Sequence, residues 1–320
     1  MGYDLAQEIR ELKKKKNVTI LAHYYEDGAI QDLADHVGDS YFLAQKGQQE
    51  KADIILLAGV VFMAESVKIL NPTKTVLVPD INAGCSLVDS SPFDKYYEWR
   101  RKNPEAIAVT YINSSAEVKA ISDVIITSSN AEKIIHAIPR ERKILFGPDQ
   151  HLGNYLSKKL NRPMEMWNGS CQVHILFNAR RLHELTMEHP DAVVIAHPEC
   201  EDAVLKYAHV IGSTSRLLEE VTKNPAKKFI VATETGIFHQ MKKARSDVQL
   251  IQAPVEDKGC LCNDCPFMKL NTLEKIKTAI ETLKPQVHVS EDIRKKAEVS
   301  LERMLKLARG ESVQWPEKFI

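Results

Sequence analysis

Three cysteines, Cys85, Cys171 and Cys265, hold equivalent places along this chain of 320 residues. Each of them opens a segment of helical character, and the start of a helix favours the thiolate form of cysteine. Three thiolates can each bind one corner of a cubane [4Fe-4S] cluster, which leaves the fourth iron without a protein ligand. The pattern therefore predicts a metal centre whose open iron acts as a Lewis acid.

Two other interpretations of the cysteines stay open from the residues alone. A zinc site would use the closely spaced Cys260, Cys262 and Cys265, with a fourth ligand elsewhere. That site lacks the usual paired CxxC spacing and leaves the other two equivalent cysteines without a purpose. Alternatively, all six cysteines are small core residues. Cys200 has no counterpart in the repeat described below, so we expect it to lie in the core.

Polar residues follow the predicted strands at matching positions, where acids, bases and amides can converge. Ligands bind beyond the carboxyl ends of parallel strands in open α/β sheets. Hydroxyls and free N–H groups at helix starts bind carboxylate or phosphate, so a small polyanionic substrate is expected. His174, three residues after Cys171, is predicted to line the same cleft. The strand-end residues are His23, Tyr25, Tyr111, Asn113, His197 and Glu199, and hydroxyls follow at Thr127, Ser128, Ser213 and Thr214.

Short runs rich in Val and Ile recur along the chain, separated by segments with a helical period. Runs that are apolar throughout suit strands buried on both faces of a parallel sheet. The pattern therefore predicts an α/β fold, with segments such as 115–120 and 216–222 as single crossover helices. The predicted strands are 18–22, 54–58, 76–78, 107–110, 124–126, 144–146, 193–196, 210–211 and 229–232.

The strands repeat with an internal period of about 86 residues, which favours three α/β units over two domains of ordinary length. Segment 123–129 aligns with 209–215, and both resemble 53–59. Each unit is predicted to close with one cysteine-led helical segment that ends before a proline. The predicted units are 1–104, 105–189 and 190–285, followed by a helical tail, 286–320, that packs on the outside.

The composition argues against several classes of function. Lys and Arg together number 43, as do Asp and Glu, so no net charge draws the protein to nucleic acid or to a membrane surface. The longest apolar run, 54–64, is far shorter than the ~20 residues that span a bilayer. The first residues lack an apolar export signal, so a cytoplasmic location is expected. The absence of GxGxxG, GxxxxGK[ST], GxSxG and HExxH motifs argues against nucleotide-driven chemistry.

Taken together, these residues resemble the quinolinate synthase family of de novo NAD biosynthesis. The matching motifs run from residue 22 to residue 271, so they cover nearly the whole chain, and several are specific in combination. They are AHYY (22–25), GDS (38–40), GVVFMAES (59–66), NAGC (82–85), TYINS (110–114), SSNA (128–131), GPD (147–149), GSCQVH (169–174), HPEC (197–200), GST (212–214), CPFMK (265–269) and Asn271.

The resemblance implies both a fold and a reaction. Three similar α/β/α sandwich domains with parallel sheets are expected around a pseudo-threefold axis, with a [4Fe-4S] cluster held by Cys85, Cys171 and Cys265. The implied reaction condenses iminoaspartate with dihydroxyacetone phosphate and releases phosphate and two waters to give quinolinate. Functional coupling to an enzyme that produces iminoaspartate is expected as well.

The resemblance also implies roles for single residues. The predicted acid/base residues are Tyr25, His174, His197 and Glu199; Tyr111 and Asn113 are expected to face the open iron; and the carboxylate or phosphate groups of the substrate are assigned to His23, Ser40, Ser128 and Thr214, with Ser213 included in the predicted substrate-binding set.

The spacing Cys260-x-Cys262-x2-Cys265 departs from a family pattern. Some family members carry CxxCxxC, whose last cysteine is the cluster ligand, so a family-type redox role for the first two cysteines lacks support here. Two rival functions remain. A non-enzymatic iron–sulfur or zinc redox sensor would not need His, Glu and hydroxyls at strand ends. A lyase of different specificity would use the same open iron, and only the family motifs argue against it.

Overall fold

The chain is described by a computed structural model that covers residues 2–255 and 263–319, and it confirms the predicted α/β fold. The strands in these residues form three four-stranded sheets, and every strand pair within them is parallel. In each sheet the second strand along the chain lies at the edge beside the first, and the third and fourth follow on the other side. The three units therefore share one topology.

The first unit is built on central strands of aliphatic residues without polar alternation, as a sheet covered on both faces requires. Leu21, Leu56 and Leu57 of these strands are fully buried. Asp39 caps a helix by accepting a hydrogen bond from Phe42 N. The elements are α1 (Gly2–Lys16), β1 (Val18–His23), α2 (Gly28–Gln31), β2 (His36–Gly38), α3 (Ser40–Gln49), β3 (Ile54–Ala58), α4 (Val61–Leu70), β4 (Thr75–Leu77), α5 (Ser86–Ser90) and α6 (Phe93–Arg101).

The second unit repeats this plan, with a buried first strand and capped helices. Ser115 accepts from Val118 N, and Asp149 accepts from Leu152 N, so each side chain satisfies a free N–H at a helix start. The elements are β5 (Ile107–Tyr111), α7 (Ala116–Ala120), β6 (Val124–Ile126), α8 (Ala131–Ala137), β7 (Ile144–Gly147), α9 (Gln150–Lys159), β8 (Glu165–Met166), a 3-10 turn (His174–Leu176) and α10 (Ala179–Glu188).

The third unit has the same order of strands and the same kind of helix start. Ser213 caps one helix by accepting from Arg216 N, and Thr272 caps another by accepting from Lys275 N. The elements are β9 (Val193–Ala196), α11 (Asp202–Leu205), β10 (Val210–Ile211), α12 (Thr214–Lys223), β11 (Lys228–Ala232), α13 (Ile237–Ala244), β12 (Gln249–Gln252), a 3-10 turn (Met268–Leu270) and α14 (Leu273–Thr282).

Three edge strands, β2, β8 and β12, were not predicted, because these three are partly exposed and lack a continuous apolar run. The edge strand β6 is apolar and buried, and it was predicted. The missing β2 made the alignment of the first unit wrong by one strand. Segment 53–59 contains β3, whose counterparts are β7 and β11. The counterpart of β6 and β10 is β2. The nine strands that were predicted are all present, with ends within one residue of the prediction.

The prediction of one helix after each cysteine was wrong. After Cys85 the chain forms two helices, because Pro92 disfavours helical backbone in the residue before it. After Cys171 and Cys265 a 3-10 turn comes first, and a capping side chain, Asn178 or Thr272, then starts a separate helix. Each cysteine therefore lies ahead of a break in the chain direction.

The helix that ends each cysteine-led segment packs on a different sheet from the one that the chain has just left. Arg100 of α6 forms an ion pair with Asp123, beside the second sheet. Leu182 of α10 is buried in the core of the third unit. Ile276 of α14 is buried in the same cluster as Ile20 of the first sheet. Each cysteine thus lies on a connection between two sheets, and the three connections meet in the space between the three sheets.

The tail predicted for residues 286–320 contains α15 (Glu291–Arg309). Its apolar face, with Ala297, Leu301 and Met304, is buried in a core that the first two units share. It packs on α4 of the first unit and on α7 and α8 of the second. The unit boundaries at 104, 189 and 285 remain predictions. None of the helices in the described residues has both the length and the apolar character needed to cross a membrane.

Candidate active site

A cavity with about 660 Å³ of space between its atoms, part of it open to solvent, lies where the three units meet. Residues from all three units line it, so the structure brings together side chains that are far apart in the sequence. Ser213 is the predicted site residue that is not in the lining, because its hydroxyl caps α12. The predicted residues that do line the cavity are His23, Tyr25, Ser40, Cys85, Tyr111, Asn113, Thr127, Ser128, Cys171, His174, His197, Glu199, Thr214 and Cys265.

The sulfurs of Cys85, Cys171 and Cys265 open onto this cavity from the three connections between sheets. Backbone N–H groups two or three residues further along the chain act to lower the pKa of each thiol, against the larger effect of burial. N–H groups at the start of a helical turn favour a thiolate in this way. The same local geometry therefore occurs three times around one space.

The three thiols fit a soft metal centre. Burial raises the pKa of Cys85 to about 12 and that of Cys265 to about 11, and it raises the pKa of Cys171 well above the ordinary value. Thiols so buried, and close enough to repel each other when charged, remain protonated at neutral pH. A bound metal supplies the positive charge that lets them ionise, and thiolates select iron–sulfur clusters or zinc among metals.

Cys171 also belongs to a second possible ligand set. One ligand atom each from Cys171, His174 and Glu199 lie within 4.8 Å of one another, so these side chains can hold a metal ion. His174 Nδ1 is 2.7 Å from Glu199 Oε2 and 3.3 Å from Cys171 Sγ. Metal-ligating side chains therefore line the cavity in either case. Cys260 and Cys262, which the zinc alternative needs, lie outside the described residues.

A chain of hydrogen bonds, which we call the relay, links Glu199, His174, Thr233 and Tyr25. Glu199 Oε2 lies 2.7 Å from His174 Nδ1, His174 Nε2 lies 2.9 Å from Thr233 Oγ1, and that hydroxyl lies 2.7 Å from the Tyr25 hydroxyl. A carboxylate at Nδ1 holds the imidazole proton there, so Nε2 can accept from Thr233. Thr233 is not among the predicted site residues, although its place directly after a central strand was an available signal.

Glu199 remains ionised although it is buried. Burial acts to raise its pKa, but the neighbouring imidazoles of His174 and His197, together with the hydroxyl of Tyr111, hold the pKa well below the ordinary value. His197 Nδ1 lies 3.9 Å from the carboxylate, and its Nε2 lies 3.2 Å from Ser128 Oγ. The cavity therefore contains a fixed negative charge surrounded by donors.

Two histidines of the cavity are neutral at pH 7. Burial lowers the pKa of His23 to about 4 and that of His197 to about 3. His23 Nδ1 accepts a hydrogen bond from Tyr25 N at 3.2 Å, and His197 Nδ1 accepts from Glu199 N at 3.4 Å. Each imidazole therefore carries its proton on Nε2, where it can act as a donor.

Several lining residues have unused hydrogen-bonding capacity. Ser40 and Thr214 are the first residues of α3 and α12, and Ser128 lies in the turn before α8. Within residues 2–255 and 263–319, Asn113 Oδ1 and Thr127 Oγ1 are buried without a partner. Buried polar atoms normally have partners, so a ligand or water is expected to supply them. Hydroxyls and N–H groups at helix starts suit an anionic ligand.

A buried acid–amide pair anchors the segment that carries Cys265. Glu26 Oε1 accepts a hydrogen bond from Asn271 Nδ2 at 2.8 Å, and the same amide donates to Gly59 O at 2.9 Å. In the described part of the chain, Glu26 Oε2 and Asn271 Oδ1 have no partner. Burial raises the pKa of Glu26 to about 8, so its carboxyl group is protonated at pH 7.

Because of Glu26, the free energy of unfolding of the wild type should fall as the pH rises from about 4.5 to about 8. We expect Glu26→Gln to abolish this decrease. In this range the unfolded chain releases the proton while the folded protein keeps it. The free energy of unfolding therefore falls with rising pH, by at most ~1.4 kcal/mol per pH unit. Urea unfolding at pH 5 and pH 8 measures the effect, and the variant should gain on the wild type at pH 8. A difference that does not change with pH would contradict this prediction.

The fold and the cavity define an α/β enzyme that handles a small polar molecule beside metal-ligating side chains. Comparison with known proteins agrees with that class. The family model described as quinolinate synthetase A protein matches residues 7–306, and the chain belongs to this family.

Curated relatives named quinolinate synthase match almost the whole chain. The protein of Chloroherpeton thalassium is 48% identical over 306 residues, which cover 96% of this chain and 95% of the relative. The protein of Gloeothece citriformis is 50% identical over 307 residues, with the same coverage of both chains. The protein of Nostoc punctiforme is 49% identical over 305 residues, which cover 95% of this chain and 94% of the relative.

Proposed function

We propose that the protein condenses iminoaspartate with dihydroxyacetone phosphate to quinolinate, with release of one phosphate and two waters, as a step of NAD biosynthesis. The observation that carries this proposal is the meeting of three thiols, the relay and a hydroxyl-lined corner in one cavity. These features suit the departure of oxygen groups, the transfer of protons and the binding of carboxylates and a phosphate. A redox sensor would not need the relay.

Cys85, Cys171 and Cys265 would hold a [4Fe-4S] cluster. When bound, the cluster supplies a Lewis acid, because its iron without a protein ligand can polarise a substrate oxygen. Tyr111 and Asn113 line the same cavity, and we assign them to substrate binding near that iron.

The relay moves a proton without a free phenolate. Burial raises the pKa of Tyr25 well above its ordinary value, so loss of its proton alone is unfavourable. As a substrate proton reaches the Tyr25 oxygen, the proton of Tyr25 passes to Thr233 and that of Thr233 passes to His174 Nε2. Glu199 stabilises the imidazolium that forms. His197, 3.9 Å from Glu199, is the remaining acid/base residue of the proposal.

The anionic groups of the substrates are assigned to the neutral His23 and to the hydroxyls of Ser40, Ser128 and Thr214. Ser213 is not included, because its hydroxyl accepts from Arg216 N. The imine substrate reacts with water, so functional coupling to an enzyme that produces iminoaspartate is part of the proposal. A cytoplasmic location remains a prediction.

The test uses the full chain, reconstituted without oxygen and assayed with freshly generated iminoaspartate and dihydroxyacetone phosphate. Quinolinate and inorganic phosphate should form in equal amounts, and omission of either substrate should abolish both. Iron and sulfide are counted on the same sample. A cluster-loaded protein that makes no quinolinate would refute the proposed reaction. A zinc-loaded protein without sulfur-to-iron absorbance would refute the proposed cofactor.

A further inference from the structure

Asp39 lies where the three units meet, and none of the roles assigned above uses it. It follows β2, lines the cavity and is only 7% exposed. The hydroxyl of Ser129, from the second unit, donates to Asp39 Oδ2 at 2.5 Å. The hydroxyl of Ser215, from the third unit, donates to the same oxygen at 2.7 Å. One carboxylate oxygen of the first unit therefore joins both other units.

The other oxygen of Asp39 has a local partner. Asp39 Oδ1 accepts a hydrogen bond from Phe42 N at 2.9 Å and so caps α3. The carboxylate thus accepts from three protein donors, and hydrogen bonds to a charged acceptor are stronger than neutral ones. Both carboxylate oxygens therefore have donors from the protein, and the geometry does not require Asp39 to touch the substrate.

Each residue joined through Asp39 has a neighbour in the chain that belongs to the proposed anion-binding hydroxyls. The three segments occupy the same topological place, directly after the edge strands β2, β6 and β10. A shift of any one segment would move its lining hydroxyl relative to the other two. The neighbouring pairs are Asp39 with Ser40, Ser129 with Ser128, and Ser215 with Thr214.

We propose that Asp39 is a positioning residue that holds the hydroxyls of Ser40, Ser128 and Thr214 together as one anion-binding corner. The identity of the anion, the phosphate or a carboxylate of the substrate, rests on the proposed function. The alternative is that Asp39 is only a negative charge beside the cavity. Removal of such a charge would tighten anion binding, whereas loss of the hydrogen bonds from Ser129 and Ser215 would weaken it. The two roles therefore predict opposite changes in affinity.

Asp39→Asn separates these roles in the full reconstituted chain. The amide oxygen can still cap α3, but the amide nitrogen cannot accept from Ser129 and Ser215. We expect the KM for the substrate whose anionic group binds at this corner, dihydroxyacetone phosphate or iminoaspartate, to rise about tenfold, as for the loss of one hydrogen bond to a charged group. The kcat should fall less, and iron content should stay at the wild-type level. Inorganic phosphate should raise the Tm of the wild type but not that of the variant.

The two serines provide an independent test. The double variant Ser129→Ala with Ser215→Ala removes both donors and leaves the carboxylate, and its KM should rise in the same direction. Added to Asp39→Asn, these substitutions should change KM no further, because residues that act as one unit are not additive. Asn178→Ala is the matched control: it removes a cap from Arg181 N outside the cavity and should leave KM unchanged.

Two results would overturn the proposal: the KM values for both substrates are unchanged or lowered in Asp39→Asn, or the serine effects add fully to the effect of Asp39→Asn. If Asp39→Asn does not fold, the serine pair decides alone, and a wild-type KM in that variant overturns it. The phosphate shift in Tm needs no turnover. Suppose that the wild type makes no quinolinate, and that phosphate raises the Tm of the wild type but not that of the variants. The proposed function then fails, while the positioning role stands.

Discussion

Replacement of Cys171 by serine is expected to abolish both metal binding and quinolinate formation. A serine hydroxyl is not ionised at neutral pH and is a poor ligand for a soft metal, so one corner of the centre would lose its ligand. Cys171 also belongs to the second possible ligand set, with His174 and Glu199, and its sulfur lies 3.3 Å from His174 Nδ1. The substitution therefore removes a ligand from both sets. Iron and sulfide counts and the visible absorption of the reconstituted chain measure the effect.

Cys200→Ser is the matched control for this substitution. Cys200 is fully buried, and its sulfur lies 3.4 Å from Ala232 O, where a serine hydroxyl can donate as well. Iron content should therefore stay at the wild-type level, and metal loss in this variant would contradict the ligand assignment. Cys85→Ser separates the two possible ligand sets. It should lose the metal as completely as Cys171→Ser, whereas retention would favour the set of Cys171, His174 and Glu199.

Glu199→Gln is expected to lower kcat by about a hundredfold to ten-thousandfold, the range for loss of a general acid or base. The carboxylate holds the proton of His174 on Nδ1 at 2.7 Å and stabilises the imidazolium. The amide of glutamine can instead donate to Nδ1. The imidazole proton then moves to Nε2, which can no longer accept from Thr233, so the relay is broken. Initial rates with both substrates at saturation measure the change.

Glu201→Gln makes the same chemical change two residues further on, at an exposed position, and should leave kcat unchanged. Thr233→Val keeps the shape of the side chain but interrupts the relay, so it should lower kcat, as Glu199→Gln does. Thr233→Ser keeps the hydroxyl and should have a kcat near that of the wild type. A wild-type kcat in either Glu199→Gln or Thr233→Val would rule out the relay. Iron counts on Glu199→Gln distinguish loss of proton transfer from loss of a metal ligand.

Strands covered on both faces could be predicted because each is a continuous apolar run, as in Ile54–Ala58 and Val193–Ala196. The edge strand His36–Gly38 could not, because half of its surface faces away from the core and its residues need not be apolar. This one omission also shifted the alignment of the first unit. Local rules therefore predict the centre of each sheet better than its edges.

The cavity could be predicted in part. His23 and Tyr111 are the last residues of their strands and His197 directly follows the equivalent strand, so their convergence follows from the repeat. Thr233 follows a central strand in the same way, but its role depends on two hydrogen bonds, to Tyr25 and His174, with residues that are far away in the sequence. Ser213 was included because its hydroxyl follows a predicted strand, and the structure uses that hydroxyl to cap a helix start.

The sequence by itself determined the α/β class, the threefold repeat, the three equivalent cysteines and the family motifs, because each depends on residue type and spacing along the chain. Only the tertiary structure decided which helix covers which sheet, and so how three distant connections bring Cys85, Cys171 and Cys265 to one cavity. It also decided that Asp39 joins three units and that Glu199 stays charged while it is buried. Distances and burial between remote residues set these properties, and no local pattern encodes them.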